Sequence, residues 1–151
     1  MTEDDLQYEA SDAWLLLAII YAAGNDEATL QKIVSAGDGI NHAIFTYDEM
    51  DSGLYRLSRG GYIEEVAGKF KPSNLTAEKY RQISRKTRSM LKEMDLLKEF
   101  LHAKPWDFGA SFPRPENRYK YPGMTVERFD EAVDNYQREA QKILNEMFRK
   151  K

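Results

Sequence analysis

Residues 46–71 read Thr46-Tyr47-Asp48-Glu49-Met50-Asp51-Ser52-Gly53-Leu54-Tyr55-Arg56-Leu57-Ser58-Arg59-Gly60-Gly61-Tyr62-Ile63-Glu64-Glu65-Val66-Ala67-Gly68-Lys69-Phe70-Lys71. Thr46 and Glu49 have the spacing of a capping box: the threonine hydroxyl accepts from the amide of Glu49, and the glutamate reaches back to Thr46. Phe45 and Met50 stand where a hydrophobic staple would close that start. Met50, Leu54 and Leu57, with Gly53, then form one buried stripe. Gly60-Gly61 ends the helix. Tyr62 to Val66 alternates like a half-buried strand, Ala67-Gly68 suits a tight turn, and Lys69-Phe70-Lys71 returns as a second strand closed by Pro72. The stretch therefore predicts a helix followed by a two-stranded hairpin.

Upstream, an acidic tail over residues 1–10 precedes a helix from Asp12, which can cap it, to Ala23. Gly24-Asn25 is its stop. This helix is apolar nearly all round, which places it at the centre of the core. Thr29 can cap a second helix from Leu30 to about Ala43. Its apolar positions are Leu30, Ile33, Val34, Ile40 and Ile44. Gly37 and Gly39 interrupt it at about 1 kcal/mol each and could bend or break it. Downstream, Thr76 is expected to cap one long helix to about Ala103. There Ile83, Met90 and Leu97 repeat every seven residues, beside Tyr80, Thr87, Met94 and Leu101. Residues 104–123 form a loop with four prolines and five aromatics. Thr125 can cap a last helix, where Phe129, Val133, Tyr136, Ala140, Ile143 and Met147 recur four and three apart.

Three helices followed by a hairpin is the order of a winged helix. The segment from Gly53 to Ile63 resembles the L-x-x-L-x-x-x-G-x-I end of the recognition helix in MarR-like and PadR-like regulators. Leu75-Thr76-Ala77-Glu78 resembles the L-T-x-x-G phrase that opens their next helix, with Lys79 in place of the glycine. The likeness covers roughly residues 12–80. It implies a mainly α fold with a small β-hairpin: a winged helix-turn-helix domain over residues 1–75 and a helical extension over 76–151. It also implies a homodimeric transcriptional regulator binding double-stranded DNA. By position, the third helix would present Tyr47, Asp48, Asp51, Ser52, Tyr55, Arg56 and Arg59, with Lys69 and Lys71 on the wing. Helical spacing directs Arg56 and Arg59 away from Leu54 and Leu57. Acids are unusually dense on that face, and the alternative is a protein-interaction module that does not bind DNA.

Composition narrows the rest. The 151 residues carry a net charge of −3, 31% charged side chains and no Cys. This suits a folded, soluble protein in a reducing, cytoplasmic compartment, without disulfides. The longest apolar run, Ala13 to Ala23, is about half the ~20 residues of a membrane span. His42 and His102 have no partner at metal-ligand spacing. Glu64 and Glu65 point to opposite faces of a strand, and no glycine pair leads into a phosphate loop. No catalytic set, metal or cofactor is expected.

Two features bear on partners. The stripes Ile83, Met90, Leu97 and Phe129, Val133, Tyr136, Ile143, Met147 must each meet something. An intramolecular hairpin or a second copy would do; the second copy is favoured, because helix four offers a wider apolar surface than one helix covers. Trp106, Phe108, Phe112, Tyr119 and Tyr121 either tuck onto the helices or dock a protein partner or small effector. From Lys79 to Lys92 there are six bases and no acid.

Overall fold

The computed structural model describes residues 6–104 and 120–149. Its elements in order are α1 (Ala10–Ala23), α2 (Leu30–Asn41), α3 (Tyr47–Arg59), β1 (Ile63–Val66), β2 (Lys69–Pro72), α4 (Asn74–Lys86), α5 (Met90–Leu101) and α6 (Val126–Arg149). The fold is mainly helical, with one antiparallel hairpin.

Helix α1 is the centre of the core. Leu15, Leu16, Leu17, Ala18 and Ile19 are all fully buried, which its all-round apolar sequence requires. It starts two residues before the expected cap. Asp12 lies inside the first turn, where Oδ2 accepts from the Glu9 amide at 2.8 Å. Within the segment expected as an acidic tail, Tyr8 is buried against Tyr62.

Helix α2 runs unbroken through both glycines to a left-handed cap at His42. Gly37 is needed for packing, since a β-carbon there would collide with the Phe45 ring. That ring stacks on Trp14, whose indole Nε1–H donates to the Gly37 carbonyl at 2.9 Å. Helix α3 begins with the capping box read from the sequence, with both bonds made.

The hairpin pairs Ile63 with Pro72 and Val66 with Lys69. Ala67 and Gly68 both have positive φ, 53° and 82°, as a type I′ turn demands. Ala67 carries a β-carbon in this left-handed region, where asparagine is tolerated better. Ala67→Asn is expected to stabilise the fold by about 0.5–1 kcal/mol, read as a higher urea midpoint at constant m-value. A bridge extends the hairpin: Ala28, between α1 and α2, exchanges two backbone hydrogen bonds with Phe70 at 2.7 and 2.8 Å.

The expected single helix from Thr76 to Ala103 is two helices. Ser73, not Thr76, caps α4, and the Thr76 hydroxyl instead donates to the Tyr62 carbonyl at 2.8 Å. The chain leaves the helix at Thr87, which is fully extended, and Ser89 caps α5. The Thr87 hydroxyl accepts from the Ser89 amide at 3.0 Å, a local bond that competes with the helix ladder. The break turns α5 back so that Met94, Leu97 and Leu101 enter the same core as α1.

Helix α6 packs chiefly on α2 and α5 chiefly on α1, so the two heptad stripes meet different neighbours. Phe129 and Ala132 are buried on it, Val133 and Tyr136 half-buried. Residues from both sides of position 75 contribute to one hydrophobic core.

Candidate interaction surfaces

The face of α3 expected to be open is largely enclosed. Arg56 points into the protein, opposite to the expected direction, and is 6% exposed. Its guanidinium grips the fully buried Asp12 through two bonds, Nε to Oδ2 at 2.6 Å and Nη2 to Oδ1 at 2.9 Å. Burial works against its charge, but the hydrogen bond and charge of Asp12 outweigh it and hold the pKa above its ordinary value. Ser52 is also buried; it donates to the Asp48 carbonyl at 2.6 Å and accepts from Arg56 at 3.2 Å. Gly53 makes this possible. A β-carbon there would lie 2.6 Å from Leu15 Cδ2 and 3.1 Å from Asp12 Oδ1, so only glycine lets α1 and α3 come close enough for the pair.

The start of α3 lies under the chain that leads into α6. The Tyr121 amide donates to Asp51 Oδ1 at 2.7 Å, and the Tyr121 hydroxyl donates to Glu65 on the hairpin. Burial raises the Asp51 carboxyl, against the lowering effect of the Tyr121 amide. The Tyr47 hydroxyl donates to the Met124 carbonyl at 3.4 Å, and its ring meets Phe129 edge-on. Arg128 reaches back to the turn, donating to the Gly68 carbonyl at 3.0 Å. Residues 121–129 thus strap α3 to the hairpin.

Of the residues expected to touch DNA, Arg59 and Lys69 are exposed. Tyr55 is half-buried, with the Arg59 guanidinium 5.8 Å from its ring centre. Lys71 is half-buried and pairs with Glu64 across the hairpin at 3.8 Å. The residues expected at a dimer seam divide likewise. Ile83, Leu97 and Phe129 are buried within the chain, whereas Met90, Ile143 and Met147 are exposed at 41%, 54% and 62%. Of the aromatic loop, Tyr121 is described; Trp106, Phe108, Phe112 and Tyr119 lie outside the described residues. Both histidines are exposed left-handed caps, of α2 and α5.

Two polar clusters gave no sequence signal. Glu93, 4% exposed, accepts from the Tyr21 hydroxyl and, at 2.8 Å, from that of Tyr80, tying α5 to α1 and α4. The Tyr136 hydroxyl donates to Asp38 at 2.6 Å, tying α6 to α2. Tyr80 is pushed up to about 12 by burial and then by Glu93. Tyr136 is pushed up to about 12 by its bond to Asp38 and then by burial. An unfolded tyrosine titrates near ~10. Between pH ~10 and ~12 the unfolded chain releases protons that the fold retains. Stability is therefore whole below ~10 and declines across that window. Tyr136→Phe should make the decline shallower in urea titrations from pH 9 to 12; an unchanged slope would contradict this.

Among the described residues, no group of three or more acids and histidines could hold a metal, and no helix is long and apolar enough to cross a membrane. No protein-family model, curated relative or solved structure matches the chain.

Proposed function

We propose that the chain is a homodimeric winged-helix protein-interaction module whose third helix does not read DNA. The carrying observation is the cover over α3. Its start lies beneath Tyr121, Met124 and Phe129, Ser52 and Arg56 are buried, and Arg59 alone in the helix is exposed. A reading helix needs several side chains free to reach base edges. The winged-helix reading is supported by the element order and by the Ala28–Phe70 bridge, which joins the stretch before α2 to the hairpin.

Self-association is supported by the end of α6. Ile143, Leu144 and Met147 continue the stripe that α2 covers earlier in the helix, and they stand 54%, 46% and 62% exposed. Ile143 and Leu144 line a groove of about 430 Å³ between α2 and α6. A four-three stripe asks for a helical partner, and a second copy supplies one. The wild type should sediment as a dimer at tens of micromolar, and Ile143→Glu with Met147→Glu as a monomer of unchanged helicity.

DNA contact has the exposed bases in its favour, those around the α4–α5 break together with Lys69 and Arg59. Anisotropy with a random 20-base-pair duplex across a salt series separates the readings. The expected result is no binding at low salt. Tight binding that weakens in Arg59→Ala/Lys69→Ala/Lys71→Ala, with a flatter salt slope, would restore the DNA-reading function.

A further inference from the structure

The break between α4 and α5 concentrates charge without neutralising it. Arg85, Lys86, Arg88 and Lys92 are all exposed. Arg81, one turn earlier, bonds Glu78, but among the described residues none of these four pairs with a carboxylate. Glu93, which follows Lys92, is buried and taken up by two tyrosine hydroxyls. Arg85 and Lys86 lie at a helix C-terminus, where the dipole favours cations. Arg88 and Lys92 flank the start of α5, where it disfavours them. These bases repel one another on a chain that is acidic overall, an arrangement that self-stability does not explain.

The patch is also not purely ionic. Met90 and Leu91, in the first turn of α5, are 41% and 60% exposed and sit between Arg88 and Lys92. A phosphate backbone gives two apolar side chains nothing to bury against. A peptide that alternates carboxylates with large aliphatic side chains satisfies both halves of the surface.

We infer that the α4–α5 elbow is a docking surface for an acidic protein segment carrying aliphatic side chains. Arg85, Lys86, Arg88 and Lys92 hold its carboxylates, and Met90 and Leu91 bury its apolar residues. This rests on the interaction-module reading and names its partner's chemistry. Charge complementarity gives rate and salt sensitivity, and the apolar pair gives discrimination.

The test uses the full chain and a fluorescein-labelled 14-residue peptide alternating Glu/Asp with Leu. An oligoglutamate of equal length, the 20-base-pair duplex and vesicles of anionic phospholipid are the comparisons. The acidic–leucine peptide should bind best. Arg85→Glu/Arg88→Glu should weaken it at least tenfold, and Leu91→Ser severalfold, with helicity and sedimentation unchanged. Loss of preference for the leucine peptide over oligoglutamate, tighter binding to duplex or vesicles through the same bases, or no peptide binding at low salt would each overturn the inference. The effect of Arg59→Ala/Lys69→Ala/Lys71→Ala on duplex binding and the sedimentation of the wild type judge the module reading separately, because those bases and α6 lie outside the elbow.

Discussion

Asp12→Ala is expected to destabilise the protein by about 3–5 kcal/mol, the scale for removing one partner of a buried ion pair. Asp12 is fully buried and the Arg56 side chain nearly so. The carboxylate also accepts the Glu9 amide in the first turn of α1, so its loss strips the buried guanidinium of its counter-charge and a helix amide of its acceptor. A domain's whole stability is about 5–15 kcal/mol, and this one change removes a large share of it. Replacing both partners separates an ionic role from a packing one. Asp12→Ala/Arg56→Met should recover much of the loss, because an apolar side chain of similar length does not need a counter-charge. Urea unfolding followed by circular dichroism measures both. A loss under 1 kcal/mol in the single variant, or a double variant no better than the single, would show that the pair contributes little.

That pair also marks where the sequence could be read and where it could not. The capping box at Thr46 and Glu49, the all-apolar α1 and the Ala67-Gly68 turn were legible because each is decided within a few residues. Arg56 was not. Helical spacing placed it away from Leu54 and Leu57, but α3 is buried on more than one side, so a position off the main stripe still faces α1. The available signal was Gly53, one turn before Arg56: a helix glycine on that face leaves room for a neighbouring helix and for a long side chain beside it. An acid before an apolar run usually caps a helix, whereas the bond of Asp12 to Arg56 depends on a residue 44 positions away. The heptads at Ile83, Met90 and Leu97 suggested one rod. Burying Met94, Leu97 and Leu101 against α1 takes a turn at Thr87, and periodicity cannot register which partner a stripe meets. The same limit applied to α6, whose stripe found α2. The strap from Tyr121 to Phe129, which closes the candidate site, rests on bonds with Asp51, Glu65, Tyr47 and Gly68 that no spacing rule encodes.

Phe70→Ala should be the second large effect, and it bears on that strap. Phe70 is fully buried on β2. Its backbone pairs with Ala28 and its ring meets Tyr121 at 5.7 Å between centres. It therefore anchors the hairpin to the core on one side and the strap to the hairpin on the other. Truncating a buried phenylalanine costs about 3–5 kcal/mol, which for a chain of this size lowers the melting temperature by roughly 10–15 °C. Phe70→Leu keeps most of the volume and should lose much less. The spatial pattern of the damage is the more telling readout. With the ring gone, Tyr121 loses its packing partner and its hold on Asp51 and Glu65 weakens. Hydrogen exchange should rise at residues 121–129 and at the hairpin, while α1 and the core face of α5 stay protected until global unfolding. If the Tyr121 amide keeps its protection in Phe70→Ala, the strap stands without the hairpin. The cover over α3 would then depend on Asp51 and Tyr47 alone.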